Sequence, residues 1–164
     1  MGWRPAPFLG AGLLLFPLLF GTVGCGSGPD PIPDPEADGA QALGLRAGSR
    51  LHRVVLGGRG AEEHVLPQRT RADPGDAVEF VTVDHRVHTL RFLQDSISSE
   101  GWDFLVSTGQ DAGPPLLSSG SRFLVRLDGA PPGRYLFLSQ GHGGEALGVI
   151  ELGLTPDSAD ATGG

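Results

Sequence analysis

Five histidines are the side chains in this sequence best suited to do chemistry. His85 and His88 lie three residues apart in one stretch. His142 follows Ser139 in the run Ser139-Gln140-Gly141-His142-Gly143-Gly144-Glu145. Imidazoles and carboxylates grouped in this way can act as general bases, as partners of a nucleophile, or as nitrogen and oxygen donors. A hydrolytic set of Ser139 and His142 with Asp84 or Glu145 fits poorly. The sequence has no Gly-x-Ser-x-Gly elbow here, and a serine three residues before its base on one loop is badly placed to use it. The glycines around His142 lack the Lys-Ser/Thr of a phosphate loop and read as a bent turn. No catalytic residue is assigned, and the chain is not expected to be an enzyme. His52 and His64 read as surface-strand residues without a role, and His85 taken alone reads as a solvent-facing loop residue.

Positioning such groups requires a folded domain, and the composition has room for one. The chain has 164 residues, 39% hydrophobic and 19% charged, with 27 Gly and 14 Pro. That balance favours short strands and turns over long helices. All of the basic side chains are arginine, which we attribute to coding bias. The net charge of −7 comes largely from the flanks, where Asp30, Asp34, Glu36, Asp38, Asp157 and Asp160 lie. With no basic stripe, nucleic acid is excluded as an expected partner.

The N-terminus reads as an export signal. Arg4 precedes an apolar run from Phe8 to Phe20, shorter than the roughly 20 residues of a membrane span but suited to a signal-peptide core. Gly21-Thr22-Val23-Gly24-Cys25 then resembles a bacterial lipobox, although Thr22 stands where leucine is usual. The resemblance implies lipidation of Cys25 and a membrane anchor without a spanning helix, with ordinary cleavage nearby as the alternative. Either route places the protein in the cell envelope, tethered to a membrane and facing the periplasm or exterior if lipidated. Cys25 is the only cysteine, so no intramolecular disulfide can form. The expected organisation is a signal with lipobox cysteine over 1–25, a disordered Pro/Gly/Asp spacer over 26–50, a folded domain over 51–154 and a disordered tail over 155–164.

Within the domain the pattern is of strands separated by turn residues. Strands are expected over Arg53–Leu56, ending at Gly57-Gly58, and over His64–Arg71, an edge strand because of Pro67. Further strands are expected over Ala77–Val83, Val87–Leu93, Arg122–Leu127, Arg134–Leu138 and Val149–Leu154. Asp73-Pro74-Gly75-Asp76 and Ala130-Pro131-Pro132-Gly133 read as turns. Ser96–Ser107 reads as a short helix capped by Asp95 or Ser96, with Trp102 and Phe104 forming its core or a recognition patch. About seven strands at this spacing predict an all-β Greek-key sandwich or barrel.

Ala72-Asp73-Pro74-Gly75-Asp76-Ala77-Val78-Glu79-Phe80, followed by Asp84 and His88-Thr89-Leu90, resembles the first half of a cupredoxin of the plastocyanin-like type. Gly133-Arg134-Tyr135-Leu136-Phe137, Ser139-Gln140-Gly141-His142 and Gly148-Val149-Ile150 resemble its second half. The resemblance spans roughly Arg53 to Leu154. It implies an all-β, Greek-key, cupredoxin-like β-sandwich with one short helical insertion. It also implies a blue-copper site made by an early His, then Cys, His and a weak Met on one late loop. Carried across, the histidines are His88 and His142, the cysteine position is Ser139, and the methionine position is Ala146 or Leu147.

A serine hydroxyl is neutral and hard, and cannot replace a soft covalent thiolate. The expected function is therefore an exported cupredoxin-like binding or structural module without blue-copper electron transfer, with no cofactor required and a protein partner of unknown kind. One alternative is weak Cu(II) binding for copper handling through His88 and His142, joined more weakly by His85 and Glu145, with Zn(II) a lesser candidate. The other is the copper-carrying electron transfer of the family itself.

Overall fold

The computed structural model describes residues 42–154. The export signal, Cys25, most of the spacer and the tail lie outside the described residues. Among those described, no helix is long and apolar enough to cross a membrane.

Alternation of apolar and polar residues drives strand formation, and each strand turns one face to the core. The chain forms β1 (Leu51–Arg59), β2 (Glu62–Leu66), β3 (Arg69–Ala72), β4 (Ala77–Thr82) and β5 (Thr89–Phe92). A 3₁₀ turn (Gln94–Ser96) and helix α1 (Ser99–Ser107) follow, then β6 (Arg122–Arg126), β7 (Gly133–Gly141) and β8 (Gly144–Leu152). One sheet has the order β2-β1-β4-β6 and the other β3-β8-β7-β5. β1 runs parallel to β4 and β3 parallel to β8, while the other neighbours are antiparallel. This is a cupredoxin-like β-sandwich with one short helical insertion, as the sequence implies.

The inner faces are joined by aromatic packing. Phe137 meets Phe80 edge-on with ring centroids 4.9 Å apart, and Phe92 at 6.1 Å. Gly148 makes room for this, since a Cβ there would lie 2.2 Å from the Phe137 ring. Tyr135 is buried beside these rings, and its hydroxyl donates to the Pro131 carbonyl at 2.6 Å. On the outer faces, buried glutamates lie beneath arginines: Glu79 beside Arg53 and Arg122, and Glu151 beside Arg69 and Arg71.

Several local readings differ from the sequence expectation. β1 runs through Gly57 and Gly58, which pair with His64 and Glu63 of β2. A side chain at Gly58 would collide with the Glu62 carbonyl, so glycine here permits close pairing. The expected strand His64–Arg71 is two strands in different sheets, and the chain crosses between them at Pro67, which has no N–H for a ladder. The helix starts later than expected. Its cap is Ser98, whose Oγ accepts from the Gly101 N–H at 3.2 Å. Trp102 and Phe104 pack against the core while Leu105 is fully buried, which favours the packing reading of this insert. The folded part also begins before Leu51, because Leu43 and Leu45, together with Leu124, pack on Leu51 and Ala77.

The Asp73–Asp76 turn is tied to β1 by one carboxylate. Asp76 is buried and accepts from the Arg50 N–H at 2.8 Å, the Asp73 N–H at 2.9 Å and His52 Nε2 at 2.7 Å. Burial opposes its ionisation, but the hydrogen bonds from Asp73, Arg50 and His52 outweigh burial and hold its pKa below the ordinary value. A carboxylate lowered in the fold stabilises it above the unfolded pKa of about 3.9, and that contribution fades as pH falls through the folded value. Asp76→Ala is expected to lower unfolding free energy by about 2–3 kcal/mol at neutral pH. In chemical denaturation the deficit against wild type should shrink below about pH 4. An equal deficit at both pH values would refute this role.

Candidate functional site

Four segments meet at one end of the sandwich. His88 immediately precedes β5, and its backbone exchanges hydrogen bonds with Leu116, N to O at 3.0 Å and O from N at 2.9 Å. Ser139 projects inward from β7. His142 and Gly143 form the two-residue turn between β7 and β8, with φ of 55° and 81°, as a tight hairpin turn with two left-handed residues requires. Glu63 comes from β2, where the alternation that buries Val65 also buries Glu63. Asp84 lies in the β4–β5 loop.

The structure thus brings together His88, His142 and Ser139, with ring centroids of the two histidines 5.5 Å apart. Cross-strand register puts Ala146 directly opposite Ser139, on the same side of the sheet. Leu147 pairs instead with Leu138 and is exposed. His85 is exposed. Glu145 is also exposed, and its Oε1 accepts from Gln140 Nε2 at 2.5 Å. Neither hydrogen-bonds to the two clustered histidines. Ser139 does not face His142 as a hydrolytic pair would: its hydroxyl is buried and donates to Glu63 Oε1 at 2.5 Å.

A connected set of hydrogen bonds orders the cluster. His88 Nδ1 lies 2.9 Å from Glu63 Oε1, and His88 Nε2 lies 2.9 Å from Asp84 Oδ1. Asp84 Oδ2 lies 2.7 Å from His142 Nε2 and accepts from the Gly58 N–H at 3.2 Å. The Arg86 N–H donates to Asp84 Oδ1 at 2.9 Å, and His142 Nδ1 faces the Gly60 carbonyl at 3.3 Å. Ionised carboxylates only accept. With both carboxylates ionised, His88 donates from both ring nitrogens and is an imidazolium. Its burial opposes that charge, but hydrogen bonds to Asp84 and Glu63 and their negative charges prevail and raise its pKa. Burial likewise opposes ionisation of Asp84. Hydrogen bonds from His88, the Arg86 N–H and His142 overcome it and hold the carboxyl well below the usual carboxylate range.

Glu63 is not part of the sequence expectation, in which the strand begins at His64. The signal was present in the parity of Glu63 and Val65. Asp84 enters the sequence expectation through its place in a motif and as a member of a hydrolytic set, and the structure makes it the link between two imidazoles. The gathered donors are two imidazoles, two carboxylates and a hydroxyl, all nitrogen and oxygen. Glu63, His88 and His142 each offer a ligand atom within 4.8 Å of the others.

No family model and no curated protein matches the sequence. Among solved structures, a purple cupredoxin from Nitrosopumilus maritimus is 14% identical, with a TM-score of 0.42 over 62% of this chain and 98% of that one. An oxidised plastocyanin from Dryopteris crassirhizoma is 19% identical, with a TM-score of 0.45 over 61% of this chain and 98% of that one. A copper-containing nitrite reductase from Thermus scotoductus SA-01 is 18% identical, with a TM-score of 0.45 over 70% of this chain and 26% of that one. At these identities the likeness lies in the path of the chain, and the donors at the site are this chain's own.

Space at the site is limited by Gly141. A Cβ there would stand 2.5 Å from Glu63 Oε2 and 2.6 Å from His88 Nδ1. Gly141→Ala is expected to destabilise the fold by about 1–3 kcal/mol, the usual range for overpacking. Thermal unfolding checks it, and an unchanged melting temperature would mean that the cluster is looser than described.

Proposed function

We propose that this protein is an exported, membrane-tethered cupredoxin-like module that serves in binding or structure and does not carry electrons through a blue-copper centre. The observation that carries this reading is the hydrogen bond from Ser139 to Glu63. Ser139 is where the family resemblance puts the copper thiolate, and Ala146 lies across from it in register where a thioether is expected. A blue centre depends on a trigonal His₂Cys set with a weak axial ligand. Neither sulfur is present in the site, and the serine hydroxyl is already committed to a carboxylate.

An imidazolium held between two carboxylates gives this end of the sandwich a cation of its own. Such a network, with its polar atoms largely paired, rigidifies the loops that meet there. The export reading rests on the residues from Arg4 to Cys25. With Ser139 fully buried and turned away from His142, the hydrolytic reading has no accessible nucleophile, so a non-enzymatic role is the better account.

The test is spectroscopic. Wild-type protein titrated with Cu(II) is expected to show no intense thiolate-to-copper band in the visible. The double variant Ser139→Cys, Ala146→Met is expected to gain one, because it restores both sulfur positions of the family pattern. A band in the wild type would overturn the reading.

A further inference from the structure

The Glu63 side chain has no solvent exposure, yet only one of its oxygens is used. Oε1 receives both Ser139 and His88, whereas Oε2 is buried with no hydrogen-bond partner. An unpaired buried carboxylate oxygen is costly, on the order of 1–3 kcal/mol, and it calls for an occupant. Both Oε2 and His88 Nδ1 border the space that Gly141 leaves by lacking a side chain. One ligand atom from each of Glu63, His88 and His142 lies within 4.8 Å of the other two. On an ion with nitrogen and oxygen bonds of about 2.0–2.2 Å, ligand atoms stand roughly 3.3–4.2 Å apart. Small side-chain rotations close that difference.

We propose that Glu63, His88 and His142 form a site for one divalent cation that prefers nitrogen and oxygen donors, Cu(II) or Zn(II). The proposal rests on the non-blue reading above, and it deepens that reading by naming a carboxylate ligand from β2. Two imidazoles and a carboxylate make a hard-to-borderline set suited to these ions. Binding replaces the proton on His88 Nδ1 with the metal, the ligating nitrogen of His142 gives up any proton it carries in the same way, and these protons pass to water with no change of oxidation state. The Nε2–H of His88 stays on Asp84, giving the carboxylate–histidine–metal arrangement that fixes ring orientation in metal sites. Asp84 is therefore a positioning residue, not a ligand. His85 and Glu145, which the sequence offered as weaker ligands, have no part in it.

The experiment is isothermal titration of the full chain with Cu(II) and, separately, Zn(II), carrying Cys25→Ser so that the one thiol does not contribute. Electron paramagnetic resonance of the Cu(II) form is recorded alongside. Expected are one equivalent bound and a spectrum with two imidazole nitrogens and no sulfur. Glu63→Gln and His142→Ala should each weaken binding at least about 100-fold, and Asp84→Asn about 10–100-fold. His85→Ala should bind as wild type does. Failure of both ions to bind, equal affinity in Glu63→Gln, or loss of affinity in His85→Ala would overturn the proposal. Should Glu63→Gln not fold, the nitrogen count in the wild-type spectrum decides, and fewer than two refutes the site. A silent titration leaves the non-blue reading standing, whereas a thiolate band defeats that reading instead.

Discussion

The structure at the His88 end depends on one buried carboxylate. Glu63 reaches from the edge of one sheet to Ser139 and His88, which belong to the other sheet or lead into it. A lone ionised carboxylate at zero exposure would be strongly disfavoured. It is tolerated here because an imidazolium faces it, and that imidazolium is in turn held by Asp84. Removing either member leaves the other charge buried without its partner, which is the expensive outcome for buried ion pairs.

Several backbone features exist to allow this arrangement. The β1–β2 hairpin can bring Glu63 inward because Gly58, its partner in register, accepts the close approach of the Glu62 carbonyl. The turn at His142 takes left-handed backbone at both central residues, and the imidazole then faces Asp84. Gly141 keeps clear the space beside Glu63 Oε2. The family resemblance put copper at this end of the molecule. In this chain the same end is organised around carboxylates paired with imidazoles.

Much of the fold was legible because strand periodicity and turn residues are local. Val78 and Phe80 on β4, the Asp73–Asp76 turn and the Gly133–Phe137 motif each announce their own structure. The early and late histidines were legible from their place in that order. What escaped was long-range. Glu63 is 25 residues from His88 and 76 from Ser139; its parity with Val65 sets the face it occupies, but only the packing of the two sheets brings it to those partners. The split of His64–Arg71 between two sheets was hidden for the same reason, since either sheet satisfies the local pattern. His85 shows the converse: its spacing from His88 suggested a shared site, but the loop turns its ring out to solvent.

The protonation state of His88 tests the charge network most directly. Nitrogen NMR of the imidazole in metal-free protein at neutral pH should find both ring nitrogens carrying protons, each coupled to a carboxylate acceptor. A neutral His88 ring, with one bare nitrogen, would contradict the account, because Glu63 and Asp84 could not then both be ionised partners of that ring.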